Sequence, residues 1–164
     1  MKFDLTQEQK MIKDMTRKFA AEELAKDSIK RDIEKIWPKE QISKMADLGL
    51  LGIMVDSEWG GNNMDAISYC IAMEEIAKVD ASAAVVMSVN NSLVCYIFEK
   101  YANNEQKEKY LIPLAKGSKL GCFSLSEPQS GSDASNMNVY AKEDGDDFII
   151  SGTKNWVTNG INSD

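Results

Sequence analysis

The chain has no histidine among its 164 residues. That excludes Ser–His and Cys–His nucleophile pairs and most zinc chemistry, so any general acid or base must be a carboxylate, lysine, tyrosine or cysteine. Cysteine is scarce: Cys70, Cys95 and Cys122 lie far apart, show no CxxC spacing, and each falls in an apolar segment. They read as buried, reduced thiols in a reducing compartment, and no metal site is expected. Positive charge is also short. With 19 Lys and Arg against 26 Asp and Glu the net charge is −7, and no basic stripe exists to neutralise nucleic-acid phosphates. Met1–Leu5 shows no basic region, apolar stretch or Arg-rich leader. No apolar run approaches the roughly 20 residues that cross a bilayer. The expectation is a cytoplasmic protein with neither a membrane nor a nucleic-acid partner.

What is present fits a folded domain: 43% of residues are hydrophobic and 27% charged. Residues 5–117 read as helical. Thr6-Gln7-Glu8-Gln9 is a capping box, and Leu5, Ile12, Met15 and Phe19 recur behind it at helical spacing, predicting an amphipathic surface helix. Trp37-Pro38 opens a new element, Ile53-Met54-Val55 reads as a short extended piece, and Trp59–Asn63 as a loop. Two helices follow, Ile67–Ala77 and Ala81–Tyr101. The second is apolar nearly all round, which predicts central burial. Its Ser88, Asn90, Asn91 and Ser92 then need partners, either neighbouring helices or a ligand in a pocket. A last helix, Glu105–Lys116, should bend at Pro113 and close at Gly117.

Beyond Gly117 the pattern changes. Leu120–Ser126, Asn138–Lys142, Phe148–Ser151 and Asn155–Thr158 are short, strand-like and separated by turn residues, with Asp144-Gly145 as a hairpin signal. The fold class is therefore α+β: an all-α N-terminal helical bundle over residues 1–117, then the first strands of an antiparallel β domain over 118–164. Three or four short strands without closing partners make a poor independent domain. The expectation is a truncated chain, the front part of a longer one.

Two segments carry the chemistry. Phe123–Asp133 passes from an apolar stretch into a loop rich in hydroxyls, with a proline and a glycine. Such a loop exposes backbone N–H groups and small donors together, which suits a polar, electron-rich ligand. Lys154–Gly160 follows two strand lengths later. At Leu125-Ser126-Glu127-Pro128, Gly131-Ser132-Asp133 and Trp156-Val157-Thr158-Asn159-Gly160 the chain resembles the acyl-CoA dehydrogenases, FAD enzymes that oxidise the Cα–Cβ bond of acyl-CoA thioesters in fatty acid β-oxidation. The resemblance extends through Leu48–Gly52, Trp59-Gly60-Gly61, Glu74–Ala77 and Gln106–Leu111. Ser88–Leu93 is most similar to the short-chain, butyryl-CoA members.

The resemblance implies a flavin site. Phe123, Ser124, Leu125, Ser126, Gly131, Ser132, Trp156, Val157 and Thr158 would bind FAD. Ser126 would donate near N1/O2 of the ring, Thr158 would stand near N5, and Trp156 would pack on the isoalloxazine. Ser132 would also contact the acyl-CoA. Glu127 is taken as structural rather than as a base. Gln129, Ser130 and Asn136 stand where many members carry small residues, and Gln129 is expected to point to solvent. In the family the base is a glutamate, usually in a C-terminal helical domain that also completes the FAD site, partly across a subunit interface. No catalytic residue is therefore assigned to this chain, which is expected to be inactive alone. The longer protein would act on short-chain acyl-CoA, pass electrons to an electron-transferring flavoprotein, and form a homo-oligomer, dimer or tetramer. An acyl-CoA oxidase or nitroalkane oxidase of the same fold is one alternative. A non-catalytic helical module that binds acyl-CoA or a protein is another.

Overall fold

Local chemistry sets the first helix. The Gln9 N–H donates to the Thr6 hydroxyl at 3.1 Å, and the Thr6 N–H donates to the Gln9 side chain at 3.0 Å. In the computed structural model, which describes residues 4–164, helix α1 runs Gln7–Phe19 and continues through a wider π turn, Ala20–Leu24. Met1–Phe3, part of the segment expected to carry no leader, lie outside the described residues. Then come α2 (Ser28–Glu34), α3 (Lys39–Asp47), α4 (Ala66–Ala77) and α5 (Ala81–Ser88). A π segment, Val89–Cys95, joins α5 to α6 (Tyr96–Tyr101). The last helical stretch comprises α7 (Asn104–Gln106), a π turn over Lys107–Leu111, and α8 (Ile112–Ala115). Pro113 falls in the first turn of α8, where a missing N–H costs little; the wider turn before it stands where a bend was expected. Gly117 closes the stretch as expected, its N–H donating to Leu114 O at 3.1 Å.

Helix α1 packs on α4, and α5 packs on both α4 and α3. Ile12 and Phe19 enter the main core with Met45, Leu50, Ile76 and Met87, while Leu5 and Met15 lie at its margin. A second core joins Val55, Val94 and Cys95 to Leu111, Leu114 and Ala115. Charged groups pin the bundle where they are buried. Glu75 of α4 accepts from Arg17 Nε at 3.0 Å and Nη2 at 3.2 Å, and from Lys78 Nζ at 3.0 Å. The Arg17 guanidinium outweighs burial and holds this carboxyl at about 2. Arg31 donates to Asp80 at 2.7 Å and to Leu24 O at 2.8 Å, while Asp80 caps α5 through the Ala83 N–H at 2.9 Å.

The polar run Ser88–Ser92 serves the fold, its side chains bonded to neighbouring elements. Asn91 donates to Leu50 O and Met87 O, both at 2.9 Å, and accepts from Ile53 N at 3.0 Å. Asn90 donates to Leu51 O at 2.9 Å and Leu114 O at 3.1 Å, and accepts from Gly121 N at 3.0 Å. Ser88 accepts from the Tyr69 hydroxyl, and Ser92 donates back to Ser88 O. These two asparagines satisfy the backbone of Leu50–Ile53 as a strand neighbour would. Ile53–Val55, expected to be extended, is accordingly a bent loop bonded to Asn62–Met64.

Several other expectations are corrected. The Ala81–Tyr101 helix is not buried all round: Val85, Leu93, Tyr96 and Ile97 are exposed. The same run is 21 residues long and apolar enough to cross a membrane, contrary to the estimate from sequence, although nearly half of it is buried inside the fold. Cys95 is buried and its thiol pushed up to about 12 by that burial, but Cys70 is exposed and Cys122 half-buried. Leu120–Ser126 and Asn155–Thr158 are not strands. A single backbone hydrogen bond links them, from Asn155 N to Ser126 O, and a strand needs a ladder. The hairpin is present: β1 (Tyr140–Asp144) pairs antiparallel with β2 (Asp147–Ser151) across a two-residue turn led by Gly145 at φ +64°. Both of its faces are exposed, including Tyr140, Phe148 and Ile150.

Asn90→Ala should lower the unfolding free energy of the chain by about 3 kcal/mol, because two buried carbonyls and one buried N–H lose their partner together. Urea denaturation followed by circular dichroism measures it.

Candidate functional site

The first segment leaves the bundle at Gly121 and runs as irregular chain to Ser126, with Phe123 packed against the second core. It then folds back in a tight turn. Glu127 N donates to Ser130 O at 2.8 Å, and Ser130 N returns to Glu127 O at 3.1 Å. Pro128 and Gln129 form its tip, and the Ser130 hydroxyl donates to Asp133 O at 2.6 Å. The turn places the Glu127 side chain in the interior, only 1% exposed.

Four donors meet that carboxylate. Oε2 accepts from Asn138 N at 2.6 Å and Gln129 Nε2 at 2.7 Å; Oε1 accepts from Val139 N at 3.0 Å and Lys154 Nζ at 2.8 Å. Burial pushes the carboxyl upward, but Lys154 and the other donors prevail and hold it at about 2. Gln129 is exposed, as expected, but its amide turns back to Glu127. Glu127 is structural, as its Ser-Glu-Pro setting suggested. A carboxylate so fully satisfied is a poor proton acceptor.

Lys154 carries the constraint to the second segment. Its Nζ also donates to Leu125 O at 2.9 Å, and the next residue, Asn155, donates its N–H to Ser126 O at 2.7 Å. The structure thus brings Leu125 and Ser126 against Lys154–Trp156. Ser126 is half-buried, and neither its N–H nor its hydroxyl donates to another group among the described residues. Trp156 follows in a left-handed conformation, φ +57°, with 92% of its surface exposed. Positive φ is an outlier for so bulky a residue, and such strain gathers where a side chain is presented to a ligand. An exposed indole and, across the Asn155–Ser126 hydrogen bond, donors unused among the described residues are the two things a flat heteroaromatic ring needs, an apolar platform and edge hydrogen bonds.

No hydrogen bond among the described residues joins the remaining residues named from sequence to Ser126. Ser124 and Leu125 are exposed, Val157 is half-buried, and Gly131 and Ser132 are exposed beyond the Glu127–Ser130 turn. Thr158 is half-buried and, with Asn159, lines a cleft of about 640 Å³ whose other walls include Arg31, Trp37, Asp80 and Val85. Asn159 donates to Gly121 O at 3.0 Å. No group of three or more Cys, Asp or Glu side chains suited to a metal occurs among the described residues.

Comparison with known proteins now decides the lineage. Residues 6–118 match the family described as acyl-CoA dehydrogenase, N-terminal domain. The chain belongs to the acyl-CoA dehydrogenase family. Residues 122–164 match the middle domain of the same family. A short-chain specific acyl-CoA dehydrogenase from Clostridium acetobutylicum is 39% identical over 160 residues, covering 98% of this chain and 42% of that protein. Butyryl-CoA dehydrogenase from Megasphaera elsdenii superimposes with a TM-score of 0.94 at 36% identity, covering 100% of this chain and 44% of that one. A chain from a structure described as the electron transferring flavoprotein of Acidaminococcus fermentans superimposes with a TM-score of 0.97 at 41% identity, covering 100% and 43%. This member of the family thus spans about two fifths of the length of the relatives it matches.

Reading the sequence missed Lys154, Asn155 and Asn159 as organisers. A signal existed for the first. Phe123–Asp133 contains two acidic residues, Glu127 and Asp133, and Lys154–Gly160 a single basic one, Lys154. A lone cation in one segment and carboxylates in the other point to a pairing between them.

Because the folded-state carboxyl of Glu127 lies at about 2 against an ordinary 4.5, its stabilising contribution is complete above about 4.5. It is lost as pH falls from there through about 2. Glu127→Gln should therefore flatten, without abolishing, the loss of stability across that window; urea midpoints at several pH values check this, and the remaining slope comes from the other lowered carboxyls, Glu75 with Glu40, Asp65 and Glu74.

Proposed function

We propose that this chain supplies one wall of the flavin site of a FAD-dependent acyl-CoA dehydrogenase acting on short-chain thioesters. The main support is Ser126, whose flanking carbonyls are both engaged while its own N–H and hydroxyl have no partner among the described residues, and the exposed Trp156, one residue beyond the Asn155 N–H that Ser126 O accepts from. Family membership and the short-chain and butyryl-CoA relatives support the substrate class.

Phe123, Ser124, Leu125, Ser126, Gly131 and Ser132 would hold FAD together with Trp156, Val157 and Thr158. When bound, FAD supplies the hydride acceptor for Cα–Cβ oxidation. The Trp156 ring would cover one face of the flavin and exclude water from it. Ser126 would donate to the electron-rich pyrimidine edge, in the manner of an oxyanion hole. Thr158 would place its hydroxyl on the hydride-accepting side, and Ser132 would face the acyl-CoA. The base that removes the α-proton is assigned outside this chain, since the buried carboxylates near these residues, Glu127 and Asp80, are both already ion-paired. An electron-transferring flavoprotein as acceptor is supported by the description carried by the Acidaminococcus structure. A homo-oligomer belongs to the same proposal. So does a cytoplasmic location, which three free cysteines suit.

Titrating the chain with FAD, followed by polarisation of flavin fluorescence, tests the proposal. We expect weak, saturable binding that Trp156→Ala reduces at least about fivefold, since stacking on an aromatic side chain is worth roughly 1–3 kcal/mol. Butyryl-CoA should leave the visible flavin band unchanged. Equal binding by the variant would overturn the role of Trp156, and bleaching by butyryl-CoA would overturn the assignment of the base.

A further inference from the structure

We propose that Lys154 is a positioning residue that polarises the Leu125–Ser126 peptide unit and so sets the donor strength of the Ser126 N–H toward the flavin. The proposal rests on the flavin reading above and deepens it. Leu125 C=O and Ser126 N–H are the two ends of one peptide plane. Lys154 Nζ donates to the carbonyl end at 2.9 Å. A cation on that oxygen draws electron density through the amide, so the N–H at the other end becomes more acidic and a stronger donor. Polarisation of this kind is screened when the cation is in water. Here the Lys154 side chain is only 21% exposed.

The cation is also held in place. Besides Leu125 O, it contacts Glu127 Oε1 at 2.8 Å and the Met137 sulfur at 3.2 Å. Glu127 in turn is fixed by two backbone N–H groups and the Gln129 amide, leaving it no freedom to draw Lys154 elsewhere. On the far side of Ser126, Asn155 N–H binds Ser126 O at 2.7 Å, so the peptide planes before and after Ser126 are both anchored. The same arrangement leaves the Ser126 N–H unpaired among the described residues.

A strengthened donor discriminates between redox states. The pyrimidine edge of a flavin gains negative charge on reduction, so a more acidic N–H favours the reduced form over the oxidised one. A tie that merely held two loops together would weaken both forms equally when cut.

The test compares the unaltered chain with Lys154→Met and Lys154→Arg, measuring the dissociation constants of oxidised FAD and of dithionite-reduced FAD. Lys154→Met should weaken the reduced form about tenfold more than the oxidised form, equivalent to a fall of about 30 mV in a two-electron potential. Lys154→Arg should restore the wild-type ratio. Without any flavin, the Ser126 amide proton should move upfield in the ¹H–¹⁵N spectrum of Lys154→Met. If that variant does not fold, Lys154→Gln keeps a neutral donor and carries the same comparison. Equal weakening of both forms with an unshifted Ser126 amide would reduce Lys154 to a structural tie and overturn the proposal. Failure of the unaltered chain to bind either form of FAD would instead bring down the flavin reading beneath it.

Discussion

Gly121 is held at both of its polar ends by buried amides, and the rest of the site depends on that joint. Its N–H donates to Asn90 in the middle of the longest helical run, and its carbonyl accepts from Asn159 in the second functional segment. Asn90 also closes the backbone of Leu51 and Leu114. One side chain therefore ties together the loop after α3, the end of α8 and the start of the irregular chain. The fit leaves no room for a side chain: a Cβ on Gly121 would stand 2.5 Å from Val94. The helical part thus delivers Phe123–Asp133 from a fixed origin.

From that origin a second constraint takes over. A buried carboxylate must be fully satisfied or it is expensive. Glu127 meets that demand by gathering two N–H groups ahead of β1, a side-chain amide and Lys154. Satisfying the carboxylate draws Lys154 inward, and the next residue, Asn155, donates its N–H to Ser126 O. Trp156 follows directly, left-handed and exposed. The electrostatic state follows too, since Lys154 and the other donors that hold Glu127 ionised keep it from acting as a base.

Much of the helical part was legible because its signals are local. Thr6 and Gln9 cap each other, Ile12 and Phe19 mark the buried stripe, and Gly117 ends the last helix. The failures have a common cause. Strand-like composition in Leu120–Ser126 and Asn155–Thr158 does not make a strand without neighbours to complete a ladder, and periodicity does not reveal which neighbours exist. Apolar residues on every side of Ala81–Tyr101 likewise do not say which side is covered. The wide turns at Val89–Cys95 and Lys107–Leu111 left no mark in the sequence pattern. At the site, motifs located both segments. The link between them was hidden because Glu127 and Lys154 are 27 residues apart and such a pairing exists only in the fold.

In the function proposed, Phe123–Ser132 and Lys154–Thr158 form a single ligand-binding wall anchored on the helical core. Amide-resolved ¹H–¹⁵N spectra of the chain recorded with and without FAD test this wall. Shifts should concentrate at Ser124–Ser126, Gly131, Ser132 and Trp156–Thr158, including the Trp156 indole, with the amides of α1, α3 and α4 unmoved. Shifts confined to the walls of the cleft at Arg31, Trp37 and Val85, with Ser126 and Trp156 unmoved, would contradict it.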